Sequence, residues 1–79
     1  MDNFHLEFIL NTYNVSLQTV KNSLVEFCDK LEIIELRQDN PAKDKNYKIS
    51  LYAQEPTVIF DLCSQFGRIT SAKVDEVKD

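Results

Sequence analysis

Residues 47–53 read Tyr47-Lys48-Ile49-Ser50-Leu51-Tyr52-Ala53. Tyr47, Ile49, Leu51 and Ala53 fall on one side of this stretch, and Lys48, Ser50 and Tyr52 on the other. Successive side chains of an extended chain point to opposite faces of the pleat. A period of two with one apolar side therefore predicts a strand with a buried face. A second stretch near the start repeats the pattern, with Phe4, Leu6, Phe8 and Leu10 on one side and His5, Glu7 and Ile9 on the other. Two such strands need an apolar layer over their greasy faces.

Two amphipathic segments can supply it. Leu17, Val20, Leu24, Phe27 or Cys28, and Leu31 recur at helical spacing, and Lys21, Asn22, Glu26, Asp29 and Lys30 occupy the other side. This predicts a helix over Leu17–Lys30. Ser16 stands where an N-cap hydroxyl would accept from a first-turn amide. In the second segment Val58, Ile59, Leu62, Cys63 and Phe66 share a face, Pro56 suits the first turn, and Glu55 stands at the capping position. Gly67, the only glycine, follows directly, where a left-handed C-cap would need it.

Leu31–Leu36 is expected as a strand with flawed alternation, because Ile33 and Ile34 are adjacent and one must face away from the core. Arg37–Asn46 is polar, contains Pro41 and lacks periodicity, so a connecting loop is expected. Ile69–Val77 is expected as the last strand, with Ala72 and Val74 inward and Lys78 and Asp79 frayed. The order is strand, helix, strand, strand, helix, strand. The handedness of strand–helix–strand crossovers folds this order into two interlocked halves. The expected class is α+β: a ferredoxin-like βαββαβ plait spanning residues 1–79, with a four-stranded antiparallel sheet and both helices on one face. The first and third strands, with the cleanest alternation, are expected at its centre.

At 79 residues the chain is one small domain, and association would help to stabilise it. Its net charge of −4 runs against nucleic-acid binding, where neutralising phosphate dominates affinity. No apolar run is long enough to span a bilayer, and the N-terminus lacks the basic and apolar regions of a signal peptide. Cys28 and Cys63 are expected as buried reduced thiols on or beside the helical stripes, which suits a cytoplasmic protein.

Catalytic patterns are sparse. His5 is the only histidine, no Cys-x-x-Cys occurs, and one glycine cannot build a phosphate loop. Neither enzymatic activity nor a metal or cofactor is expected. The candidate binding residues are those on the sheet face opposite the helices: His5, Glu7, Ile9, Lys48, Ser50 and Tyr52. Glu7 and Lys48 can pair across strands. Ile9, Tyr52 and one of Ile33 or Ile34 would form an apolar patch that a partner covers, a second copy being the first expectation.

Leu62–Val74, Leu-Cys-Ser-Gln-Phe-Gly-Arg-Ile-Thr-Ser-Ala-Lys-Val, resembles the helix-to-strand passage of an RNA-recognition motif, in which a Phe-Gly pair ends a helix and a strand follows. The match falls on the second helix instead of the first, and the glycine-aromatic pattern of that family's third strand is absent. The resemblance implies RNA contact through Tyr52 and neighbouring basic residues. The element order also resembles ACT-type regulatory domains, plaits of similar length that dimerise and bind amino acids. Asn11–Asn14 stand where those domains carry a glycine. That resemblance implies a small-metabolite sensor.

Overall fold

The computed structural model describes residues 3–36 and 44–77. The elements are β1 (Asn3–Tyr13), α1 (Leu17–Leu24), β2 (Asp29–Leu36), β3 (Asp44–Ala53), α2 (Pro56–Ser64) and β4 (Gly67–Val77). They form one antiparallel sheet in the order β2-β3-β1-β4, the ferredoxin-like arrangement. β1 and β3 are central, as their alternation requires. Leu6, Phe8, Leu10 and Thr12 of β1 are buried, as are Tyr47, Ile49, Leu51 and Ala53 of β3. Val20 and Leu24 of α1 and Ile59 and Cys63 of α2 close the core over them. Phe60 of α2 sets its ring 5.4 Å from that of Phe8, at a 60° tilt.

The strands run further than their alternation alone indicated. β1 continues through Tyr13 because β3 begins at Asp44, and the two stay paired to Tyr13 opposite Asp44. Thr12, buried in this extension, donates to the Lys45 carbonyl at 3.4 Å. Asp44–Asn46 of the expected loop are therefore strand. The rest of that loop, residues 37–43, lies outside the described residues, as do Lys78 and Asp79. Tyr47 reaches across the layers and donates its hydroxyl to the Val15 carbonyl at 2.7 Å, tying β3 to the entry of α1.

Helix α1 stops at Leu24, six residues before the expected end. Its start is as expected, with the Ser16 hydroxyl accepting from the Thr19 amide at 3.2 Å. Phe27 then donates its amide to the Leu24 carbonyl and closes a turn. Its ring is half exposed, so it is no part of a buried stripe. Cys28 and Leu31 do pack on the core, but Leu31 from β2 and Cys28 from the position just before it, since the β2 ladder reaches back to Asp29 opposite Tyr52. Strand pairing overrode a helical spacing that Leu24, Cys28 and Leu31 satisfied only by coincidence. Glu55 occupies the N-cap of α2 without a side-chain capping bond. That helix ends at Ser64, and Phe66 packs on the core from the turn that follows.

Gly67 is a strand residue and its φ is not positive, which corrects the expected C-cap. The glycine is needed for a different reason. A Cβ built on it would lie 1.9 Å from the Asn11 carbonyl oxygen, so β4 meets β1 at a distance that no side chain allows.

The positive φ values belong to Asn14, Lys30 and Ser71. Lys30 and Ser71 sit at the register shifts of the two edge strands. Each begins a bulge in which two residues face one, Lys30 and Leu31 across from Leu51, Ser71 and Ala72 across from Phe8.

Ala72 and Val74 were expected inward, but both are exposed. Val74 pairs with Leu6 and so faces the helices, yet it is 46% exposed. Helix α2 has 9 residues and β4 has 11. At about 1.5 Å per helical and 3.3 Å per strand residue, the helix covers less than half of the strand.

Cys63 is fully buried and Cys28 half-buried, and both thiols are free. Burial, with Cys28 close by, pushes the Cys63 thiol from 9.0 to about 12. Between those values the unfolded chain has lost this proton and the folded chain still holds it. Stability therefore falls as pH rises above about 9, by at most about 1.4 kcal/mol per unit for one group. The urea midpoint should drop between pH 8.5 and 10. Cys63→Ala should be less stable at all pH values but flatter across this window. Parallel pH profiles for the two proteins would remove the thiol as the cause.

Candidate functional site

The sheet face away from the helices is uncovered among the described residues. Strand pairing aligns its side chains in rows. One row runs Ile34, Lys48, Ile9, Thr70; the next Glu32, Ser50, Glu7, Lys73; the third Asp29, Tyr52, His5, Asp75. All six residues expected here, His5, Glu7, Ile9, Lys48, Ser50 and Tyr52, lie on this face. Each alternates with a buried neighbour on β1 or β3.

The face divides into two parts. At the third row, His5 packs against Tyr52 with ring centroids 4.8 Å apart and planes tilted by 39°, and its Nε2 lies 3.0 Å from the Ser50 hydroxyl. Lys30 sits over the other ring, its Nζ 5.4 Å from the Tyr52 centroid. The positive φ of Lys30 accompanies the bulge that redirects β2 at this point. The other part is aliphatic. Ile33 pairs with Ile49 and packs on the core, which leaves Ile34 as the outward isoleucine, 55% exposed. Ile34 and Ile9 flank Lys48 in the first row. The Ser50–Glu7 row separates them from Tyr52, so the expected single patch is two.

Lys48 reaches diagonally to Glu7, Nζ to Oε1 3.8 Å. Both ends are substantially exposed, so water and salt screen the pair and it adds little stability. Asn11 donates to the Asn46 side-chain oxygen at 2.7 Å in the row beyond Ile9.

Sequence reasoning missed several residues of this surface. Tyr13, 67% exposed, shares this face with Asn11 at the end of β1 that pairing with β3 extends. Arg68, Thr70, Lys73 and Asp75 belong to the face through β4, where the bulge at Ser71 interrupts the parity on which a face assignment depends.

Where β3 meets α2 and α1 meets β2, an open cleft of about 300 Å³ is lined by Glu26, Phe27, Asp29, Tyr52, Glu55 and Val58, among others. Among the described residues, no group of three or more His, Cys, Asp or Glu side chains is placed to hold a metal ion. Cys28, at this cleft, has its thiol raised by burial and by the Asp29 carboxylate. No helix among the described residues is long and apolar enough to cross a membrane. Comparison with protein-family models, with curated proteins and with solved structures returned no match for this chain.

Proposed function

We propose that this protein is a small non-enzymatic interaction module of the cytoplasm. It binds a protein partner through its open sheet face or an edge strand, and it works as a homodimer. One observation carries the reading. Among the described residues the sheet has helices on one side only, and its other side exposes Ile34 and Tyr13 and half-exposes Ile9 and Tyr52. Aliphatic and aromatic groups spread over three strands, rimmed by charge, have the composition of a surface that another protein covers. The cysteines also argue against thiol chemistry. Both are raised in pKa, and a thiol, unlike a thiolate, is a poor nucleophile.

The test is light scattering over a concentration series, with amide chemical shifts recorded in parallel. A dimer is expected at high micromolar concentration, and the shifts that move on dilution should belong to sheet residues. A monomer at that concentration removes self-association. Changes confined to the outer surfaces of α1 and α2 would remove the sheet as the binding element.

A further inference from the structure

We infer that the homodimer forms by antiparallel pairing of β4 with β4 of a second copy, joining two sheets into one of eight strands. The inference rests on the homodimer reading above and assigns its contact to one edge.

β4 is the outer strand beside β1, and no strand pairs with its far edge among the described residues. Its partners on β1 identify its faces. Arg68, Thr70, Lys73 and Asp75 lie opposite Asn11, Ile9, Glu7 and His5, and therefore on the open face. Ile69 and Val74 lie opposite Leu10 and Leu6, on the helix face. Ser71 and Ala72 share one place across from Phe8, so the faces on either side of the bulge are mirror-related.

That symmetry permits a two-fold axis through the bulge, perpendicular to the sheet. Antiparallel pairing about this axis sets Arg68 opposite the partner's Asp75, Ile69 opposite the partner's Val74 and Thr70 opposite the partner's Lys73. Each pair occurs twice, and each keeps its face. Opposite charges meet on the open side, and the exposed Val74 gains an aliphatic neighbour on the helix side.

The neighbouring registers are worse. A shift by one residue puts side chains of opposite faces across from each other. The two nearest face-matched registers place Lys73 opposite its own copy, or Arg68 opposite Lys73. Like charges directly opposed destabilise a strand pair. A bulge normally turns an edge away from pairing. On the axis, both copies bend together, and regular ladder remains on either side. β2, the other edge, carries Asp29, Glu32 and Glu35 against Lys30 alone and offers no such self-match.

Charge reversal and rescue test the register. Arg68, Val74 and Asp75 are all exposed, so substitutions there should leave circular dichroism unchanged. Light scattering should find wild type dimeric. Arg68→Asp and Asp75→Arg should each weaken dimerisation by about tenfold or more. The double variant, which restores opposite charges, should recover the wild-type dimer. Val74→Lys should also dissociate it, while Ile34→Glu and Tyr52→Glu, on β2 and β3, which do not adjoin this edge, should not.

A double variant no tighter than the singles overturns the register. Dissociation by Ile34→Glu with none by Val74→Lys moves the contact to the open face, overturning this inference and leaving the homodimer reading standing. A monomeric wild type at high micromolar concentration overturns both.

Discussion

Phe8→Ala should abolish most of the folded population at room temperature. Phe8 is 1% exposed, lies opposite Ile49 on a central strand and packs its ring against Phe60 of α2. Its removal opens a cavity where the sheet and the helix layer meet. Truncating a buried phenylalanine costs about 3–5 kcal/mol, because lost burial adds to the unfilled volume. A chain of 79 residues holds only a few to about a dozen kcal/mol in total. The adjacent Ile9→Ala gives the contrast. That side chain points to the open face, so its loss should leave a cooperative urea transition. A Phe8→Ala melt within a few degrees of wild type, or an Ile9→Ala loss as large, would mean that the faces of β1 are reversed.

Gly67 is the second position where a small change should have a large effect. A Cβ there would meet the Asn11 carbonyl oxygen at 1.9 Å, the carbonyl carbon at 2.9 Å and the Thr12 Cα at 3.1 Å. All three are backbone atoms of a central strand, which cannot rotate away as the end of a side chain can. The β4–β1 ladder would have to separate locally, at a cost of about 1–3 kcal/mol or more, as for other forced overpacking. Gly67→Ala and Gly67→Asn separate this cause from a left-handed backbone. A left-handed site accepts asparagine much better than alanine. A close approach rejects both, and denaturant midpoints should fall by similar amounts. An asparagine variant near wild type beside a damaged alanine variant would restore the C-cap explanation.

Gly67 owes its identity to a strand remote in sequence. Following a helix with a glycine is a common ending, so position alone suggested a cap. The actual constraint comes from Asn11, which lies far away in the chain and is brought close only by the β1–β4 pairing. Ile33 and Ile34 pose a similar problem. Two adjacent isoleucines say that one must face outward, and only the pairing of Ile33 with Ile49 selects Ile34. The surface was legible where its strands are central: His5, Glu7, Ile9, Lys48, Ser50 and Tyr52 all lie on the open face. It was illegible at the edges, where the bulges at Lys30 and Ser71 reset the parity of alternation.

The amino-acid pattern alone carries the element order, the two central strands and the buried side of each. Those features follow from periodicity, which the pleat and the helix impose residue by residue on a buried face. Where α1 ends, which isoleucine turns outward, how β4 divides between its faces and why residue 67 must be glycine are set by contacts between distant segments. Each of these depends on which backbone lies alongside, and hydrogen-bonded pairing between distant segments can override a local spacing that suits another element equally well.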